Sequence, residues 1–287
     1  MVYRLLAVNI DGTLLKSNGR LSRVAKDAIE YVKAKGVYVT LVTNRNFPSA
    51  KKVAKALKLD NVLITHSGAI IGSSLEQLSY EQRLTEEQTF DLVQVLENFS
   101  CHIRLLHERY SVGNRIKQKN NLIAKAVLGS GDPLFYPLQF VESLGDHLRD
   151  NPVAAPKIEL HFTETEDMEE VEHILHETFP EVRITKVNHS KMELTNPKAT
   201  KLNGLQLLGE QLGIGLNEMV VIGDGLDDIP MITAAGLGVA MGNAPEEVKY
   251  AADWITRNND QNGLSYMVRE NFRKQMNVKV VKKNLKR

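Results

Sequence analysis

The sequence has 287 residues and lacks the features that mark several large classes of protein. It contains one cysteine, Cys101, so no disulfide can form within the chain. Cys101 precedes His102, but without a further thiol or a nearby acid this pair is typical of a packed thiol rather than a nucleophilic dyad. The N-terminus shows no signal-peptide pattern, and we therefore expect a cytoplasmic protein.

Long apolar runs and an excess of charge are also missing. No run approaches the roughly 18 residues that span a bilayer, so we expect no membrane-embedded part. Lys and Arg number 36 against 35 Asp and Glu, which leaves a formal charge of +1 and no overall attraction to nucleic acid or membranes. Hydrophobic residues make up 43%, enough for a sizeable core. Partners must therefore be inferred from individual sites.

The C-terminal residues 269–287 are the exception to this balance. They carry eight Lys or Arg and one acid, Glu270. Such a segment is typical of a solvated, partly disordered tail. Binding to nucleic acid or to anionic lipid is the less favoured alternative, and binding to nucleic acid predicts an affinity that falls steeply with salt.

Strand and helix signals alternate along the first part of the chain. Residues 4–9, 37–42 and 62–65 are short apolar runs rich in β-formers. Amphipathic segments lie between them, the first with Ser22 as a helix cap. This βαβαβ order predicts a doubly wound parallel sheet.

The pattern changes from about Leu84 and changes back after residue 190. Helices followed by alternating segments occupy the middle region, and βα alternation resumes with a strand at 219–222. We therefore predict an α/β protein with a Rossmann-like doubly wound parallel sheet core and an inserted α+β cap domain. The predicted boundaries are 1–83 and 190–268 for the core, 84–189 for the cap and 269–287 for the basic tail.

Polar residues follow four of the core strands where each strand ends. They are Asn9 with Asp11, Thr43, residues 66–68 and residues 224–228. Because the carboxyl ends of parallel strands share one edge of a sheet, these groups are expected to converge on one crevice. Carboxylates so close would repel one another without a hard cation, and oxygen ligands suit Mg²⁺.

The same crevice offers what a phosphate group needs. Thr43 supplies a hydroxyl, Gly12 permits close backbone approach to an anion, and a lysine elsewhere supplies charge. Taken singly, each residue has a plainer interpretation: Asp227 and Asp228 as helix caps, Thr43 as a turn residue. Only their combination favours a phosphate site.

In order and spacing, these segments resemble the haloacid dehalogenase superfamily, specifically its Cof-like (subclass IIB) phosphatases with a large α/β cap. The first family motif, D-x-D-G-T, appears here as Asn9-Ile-Asp-Gly-Thr13. The second, a Thr or Ser at a strand end, appears as Thr43-Asn-Arg45, and the third, a Lys before a helix, as Lys201. The fourth, G-D-x-x-N-D, appears as residues 223–228. The resemblance covers nearly the whole chain to about residue 267.

The resemblance implies chemistry for each matched position. Asp11 would protonate the leaving oxygen and then activate the hydrolytic water, while Thr43 and Lys201 would hold the transferring phosphoryl group. The implied Mg²⁺ ligands are Asn9, Asp11, Asp224 and Asp228. The implied phosphate or substrate contacts are Gly12, Thr43, Asn44, Lys201 and Asp227. Asp227 replaces the usual Asn of the family and adds negative charge.

The implied partner is a small phosphorylated metabolite. Relatives with this cap act on sugar phosphates, pyridoxal phosphate, flavin mononucleotide and phosphorylated riboflavin precursors. Candidate cap contacts, for each of which packing or a surface position is the plainer role, are Arg109, Tyr110, Asn114 and His161.

Asn9 occupies the position of the family's nucleophilic aspartate. A carboxamide keeps one oxygen for coordination but offers no anionic nucleophile, so the usual covalent route should be lost. Four explanations stay open: an engineered change, a natural Asn with slow water attack assisted by Asp11, a non-catalytic phosphometabolite-binding or regulatory protein, and Asp11 itself as nucleophile. The last is the least favoured, because it moves the attacking group beyond the strand end.

Overall fold

The chain forms two compact units in the computed structural model, which describes residues 2–115 and 136–278. The core unit comprises Met1–Asn44, Ala50–Gln77 and Thr200–Arg287, and the inserted unit Arg45–Ser49 and Leu78–Ala199. Residues 45–49, 78–83 and 190–199, which we expected in the core, thus belong to the inserted unit.

The secondary structure follows the predicted alternation. The described strands are β1 (Leu5–Val8), β2 (Tyr38–Leu41), β3 (Leu63–Thr65), β4 (Ile70–Ser74), β5 (Gln77–Glu81), β6 (Cys101–Leu106), β7 (Ser111–Asn114), β8 (Leu138–Val141), β9 (Lys157–Phe162), β10 (Arg183–Asn188), β11 (Lys191–Thr195), β12 (Met219–Gly223), β13 (Leu237–Ala240) and β14 (Trp254–Ile255). The described helices are α1 (Arg23–Ala34), α2 (Phe47–Ala56), α3 (Glu86–Leu96), α4 (Leu144–Asp150), α5 (Thr165–Thr178), α6 (Lys201–Leu212), α7 (Ile229–Ala234), α8 (Glu246–Ala251) and α9 (Gly263–Phe272).

The core unit is built on a parallel sheet with the strand order β14-β13-β12-β1-β2. Its ladders are all parallel, and a parallel bridge between Val42 and Ile64 extends the order to β3. β1 is fully buried in the middle, as its uninterrupted Leu-Leu-Ala-Val run predicts for a strand covered on both faces. This confirms the predicted Rossmann-like core, and it places Asn9 directly after the central strand.

The inserted unit is built on a mixed sheet with the order β10-β11-β9-β6-β7-β8. Side chains alternate across it, so that one face is apolar and forms a hydrophobic core with α3, α4 and α5. The opposite face carries polar and charged side chains such as Arg104, Lys157 and Glu159. This confirms the inserted α+β part of the fold. β11 pairs with β9 and β10, which is why residues 190–195 do not belong to the core.

The end of the chain differs from the prediction in one respect. α9 continues to Phe272, which is fully buried, so residues 269–272 form the end of a packed helix rather than the start of a tail. Residues 279–287 of the predicted tail lie outside the described residues. Within residues 2–115 and 136–278, no helix has the length and apolar character that crossing a membrane requires.

Candidate active site at the edge of the core sheet

The loop that follows β1 turns sharply at Gly12. Gly12 has φ +70°, a conformation that favours glycine, and a Cβ built there would lie 1.9 Å from Oδ2 of Asp224. Glycine therefore lets this loop approach the loop after β12 more closely than any other residue could. The side chain of Asp11 is exposed at the start of this turn.

Asp224 joins the two loops. Its Oδ1 accepts hydrogen bonds from the Thr13 hydroxyl at 2.6 Å and from Asn9 Nδ2 at 3.0 Å. Burial raises the pKa of Asp224 to about 6, and the hydrogen bonds from Thr13 and Asn9 only partly oppose this rise. The structure thus brings the first and fourth motifs into direct contact.

The Asn9 side chain is 7% exposed and has partners on both of its atoms. Oδ1 accepts from the backbone N–H of Ile10 at 2.8 Å, and Nδ2 donates to the Asp11 carbonyl at 3.0 Å as well as to Asp224. We expected the amide oxygen to be available for a cation. In this conformation the oxygen binds Ile10 and the nitrogen points to the two candidate ligand oxygens, and the role of Asn9 as a metal ligand stays a prediction.

Lys201 lies at the start of α6, which Thr200 caps by accepting from the backbone N–H of Asn203 at 3.0 Å. Its ammonium is buried between two carboxylates, 2.6 Å from Asp228 Oδ1 and 2.8 Å from Asp227 Oδ2. Burial alone would lower the pKa of Lys201, but Asp228 and Asp227 outweigh it and raise this pKa above its ordinary value. Lys201 is therefore held in its charged form.

Asp228 is fully buried, and both of its carboxylate oxygens have protein partners. Oδ1 binds Lys201, and Oδ2 accepts the backbone N–H groups of Asp224 and Gly225 at 2.9 and 3.0 Å. In this arrangement the side chain organises the loop that carries Asp224. Burial opposes ionisation of the neighbouring Asp227, yet Lys201 and a hydrogen bond with Asn44 hold its pKa below the ordinary value.

The loop after β3 positions the start of α6. His66, Ser67 and Gly68 have successive φ values of +51°, +60° and +99°, and a Cβ on Gly68 would lie 2.2 Å from the Thr200 carbonyl oxygen. The Ser67 N–H donates to the carbonyl of Thr43 at 3.2 Å, and Thr43 is itself 1% exposed. The second and third motifs are thereby tied to the same sheet edge.

Comparisons with known proteins agree with this geometry. Residues 6–268 match the model of the haloacid dehalogenase-like hydrolase family. The chain is 52% identical to the stress response protein YhaX of Bacillus subtilis, over 96% of this chain and 95% of that protein. The chain belongs to the haloacid dehalogenase-like hydrolases.

Other members of the family are similar over almost the same length. The 5-amino-6-(5-phospho-D-ribitylamino)uracil phosphatase YcsE of B. subtilis is 30% identical, with 93% of this chain and 94% of that protein covered. The structure of the HAD subclass IIB sugar phosphatase BT4131 superposes with a TM-score of 0.78 at 24% identity, covering 93% of this chain and 98% of that one. The predicted membership of the Cof-like haloacid dehalogenase hydrolases is confirmed.

Two asparagines from the loops after β13 and β14, Asn243 and Asn259, support the Gly12 loop. Asn243 Nδ2 donates to the Gly12 carbonyl at 2.9 Å, and Asn259 Nδ2 donates to the Leu15 carbonyl at 3.0 Å. The backbone N–H of Asn259 in turn donates to Asn243 Oδ1 at 3.0 Å. Their positions after a strand end, in Gly-Asn and Asn-Asp pairs, were the available signal.

Two of the candidate contacts in the inserted unit, Asn114 and Tyr110, have local roles. Asn114 accepts from the backbone N–H of Ile103 at 2.9 Å and donates to the Cys101 carbonyl at 3.1 Å, so it ties β7 to β6. Tyr110 stacks on His107 with ring centroids 4.5 Å apart. His161 is 9% exposed on β9. For Asn114 and Tyr110, these contacts match the packing role that we considered the plainer one.

Proposed function

We propose that this chain is a Mg²⁺-dependent phosphatase of small phosphorylated metabolites whose turnover is reduced by Asn9. The observation that carries the proposal is the hydrogen bonding of Thr13 and Asn9 to Asp224, which assembles the first and fourth motifs at one sheet edge. The name of YcsE supports a phosphorylated metabolite, such as a riboflavin precursor, as the substrate class.

In the proposed reaction Asp11 is the acid and base. Its exposed side chain follows the central strand by three residues. Asn9 offers no anionic oxygen, so a water molecule attacks phosphorus instead, and the ester P–O bond breaks. Asp11 takes a proton from the attacking water and gives one to the leaving oxygen. Thr43 and the charged Lys201 hold the phosphoryl oxygens.

The oxygens at this sheet edge would suit a hard cation only after the Asn9 amide group turned over. Asp224, the Asp11 carbonyl and Asn9 Oδ1 would then be the ligands, with Asp228 acting through water. Bound Mg²⁺ would withdraw charge from the phosphoryl oxygens. In the conformation described, Asn9 presents nitrogen instead. Within residues 2–115 and 136–278, no three His, Cys, Asp or Glu side chains are grouped so that they could hold a metal ion.

Phosphate release tests the proposal. Asn9→Asp restores the anionic nucleophile, and we expect it to hydrolyse a member of a metabolite panel at least about 100-fold faster than the parent chain. The gain should disappear with chelator. Asn18→Asp, an identical change at an exposed position, should change nothing. Release by neither the parent chain nor Asn9→Asp would overturn the catalytic proposal.

The second candidate is a protein that binds phosphorylated metabolites without turnover. The observation in its favour is that both polar atoms of the Asn9 side chain have protein partners. The loops at the sheet edge are thus held together, but no nucleophile is present at this position. This candidate predicts calorimetric binding of a phosphorylated metabolite by the parent chain, with no phosphate released by Asn9→Asp.

A further inference from the structure

The orientation of the Asn9 carboxamide is defined by its neighbours. The Ile10 N–H is a donor, so it needs Oδ1, while the Asp11 carbonyl and Asp224 Oδ1 are acceptors and need Nδ2. Turning the amide over would set the NH₂ group against the Ile10 N–H and two oxygens against Oδ1. The observed orientation is the one that satisfies all three contacts.

The amide nitrogen of Asn9 lies between two oxygens that the resemblance makes ligands of the cation. Asn9 Nδ2 lies 3.0 Å from the Asp11 carbonyl oxygen and 3.0 Å from Asp224 Oδ1. Both are ordinary N–H···O hydrogen-bond distances. A hydrogen-bond donor therefore occupies the side of Asn9 that faces both oxygens, where a cation would need an acceptor.

A hydrogen-bond donor at this position reduces part of the repulsion between oxygens that a bound cation would otherwise reduce. It places positive hydrogens between oxygens that would otherwise repel one another, and the Thr13 hydroxyl adds a further donor to Asp224 at 2.6 Å. We propose that the Asn9 carboxamide structurally replaces the divalent cation, so that this chain keeps its phosphate pocket assembled without metal and binds Mg²⁺ only weakly. The inference rests on the proposed function for the identity of the pocket.

Cation binding by this chain requires the carboxamide to turn over first. That step gives up the bonds to Asp11 and to the Asp224 carboxylate and sets two N–H donors face to face. Asn9→Asp has neither obstacle and adds a negative charge. We expect the affinity of the parent chain for Mg²⁺ to be at least about 100-fold weaker than that of Asn9→Asp.

Thermal unfolding with and without metal tests this difference. A ligand that binds only the folded state raises its melting temperature. Millimolar Mg²⁺ should raise that of Asn9→Asp, chelator should lower it, and the parent chain should respond to neither. An equal response of the two proteins to Mg²⁺ would overturn the inference, and so would the lack of a response in folded Asn9→Asp.

Two measurements on the parent chain alone guard against misfolding of the variant. The NMR signals of the Asn9 side-chain NH₂ should be protected from solvent exchange and unmoved by Mg²⁺. They are assigned through the backbone resonances or by their loss in Asn9→Asp. Inorganic phosphate, titrated by calorimetry, should bind equally well in chelator and in Mg²⁺. Loss of the protected signals on adding Mg²⁺, or phosphate binding that needs Mg²⁺, contradicts the inference.

The outcomes separate this inference from the proposed function. If Asn9→Asp binds Mg²⁺ tightly but releases no phosphate from any ester, the inference stands and the catalytic proposal fails. If parent and variant bind Mg²⁺ equally and the variant hydrolyses a metabolite, the inference fails and the catalytic proposal stands.

Discussion

Two charge clusters in this molecule, one buried and one partly buried, differ in how completely their charges are paired. In the inserted unit, two lysines and two glutamates meet on one face of the sheet. Lys157 Nζ lies 3.2 Å from Glu159 and 3.0 Å from Glu193, and Lys191 Nζ lies 2.9 Å from each glutamate. Each cation therefore contacts both anions.

The pKa values reflect this balance. Burial alone would raise the pKa of Glu159 and Glu193, but Lys157 and Lys191 outweigh burial and hold both pKa values below the ordinary one. The guanidinium of Arg104, 3.7 Å from Glu159, adds a further positive charge. Within this cluster every carboxylate is stabilised in its charged form.

The cluster at the edge of the core sheet is not balanced in this way. Asp224, Asp227 and Asp228 share a single lysine, Lys201, which contacts only the last two. Among residues 2–115 and 136–278, Asp224 has hydrogen-bond donors but no cation in contact, and burial raises its pKa to about 6. A half-buried carboxyl with a raised pKa is typical of functional sites, whereas the balanced cluster is typical of structural pairing.

Removing one cation from the balanced cluster should have the largest effect on stability. Lys157→Met leaves Glu159 and Glu193 buried with Lys191 as their shared lysine. Breaking a buried ion pair in this way costs about 3–5 kcal/mol of unfolding free energy. Urea denaturation measures this loss.

A second substitution checks the origin of that loss. Lys157→Met combined with Glu193→Gln removes one charge of each sign, and it should recover part of the lost stability. If the double variant is as unstable as the sum of the two single variants, pairing of charges does not explain the cluster.

A smaller loss of unfolding free energy is expected from substituting Gly12, which packs against Asp224 in the cluster at the edge of the core sheet. Gly12 and Gly19 have nearly equal φ values, +70° and +74°, but a Cβ on Gly19 meets nothing within 4 Å. Gly19→Ala should therefore cost only the backbone strain, about 1 kcal/mol, while Gly12→Ala must also displace Asp224 and should cost about 2–4 kcal/mol.

Urea denaturation of both variants separates strain from contact. Equal losses of unfolding free energy would show that the approach of Gly12 to Asp224 has no energetic weight. The same pair also tests the link between loop and site, because only Gly12→Ala should weaken the binding of inorganic phosphate.

Much of the core-edge cluster, the group of Asp224, Asp227, Asp228 and Lys201, could be predicted from the sequence. The signals for its strands and turns lie in short contiguous segments. The apolar run Leu5–Val8 indicates a buried central strand, and D-G-T directly after it indicates a tight turn at the strand end. Parallel strands then bring their ends to one edge whatever the rest of the chain does. The grouping of Lys201 with Asp227 and Asp228 is implied by the family motifs alone, because Lys201 begins a helix and does not follow a strand of the core sheet.

The remaining features depend on contacts that no local pattern contains. The Asn9 amide orientation is decided by Ile10 N–H, the Asp11 carbonyl and Asp224, the last more than two hundred residues away in sequence. The balanced cluster depends on the register that sets Glu159 opposite Glu193. In the sequence, the alternation of polar and apolar residues in β9 is equally consistent with a polar face exposed to solvent. No local pattern shows that β11 pairs with β9 and β10, which is why the predicted core resumes at residue 190, before this strand.

The smallest effect should come from adjusting the charge of the core-edge cluster. Asp227 lies 2.8 Å from Lys201 and stands where the resemblance places asparagine. Asp227→Asn keeps the shape, leaves Lys201 with one anionic partner and removes a negative charge near the proposed phosphate site. With screening close to that of bulk water, one charge fewer at about 4 Å is worth about 1 kcal/mol, so calorimetry should show inorganic phosphate binding about fivefold more tightly. Asp60→Asn, at an exposed position of the same unit, should leave the affinity unchanged. Unchanged or weaker binding by Asp227→Asn would mean that the excess of carboxylates at this edge does not oppose the phosphate, and that the imbalance between the two clusters has another purpose.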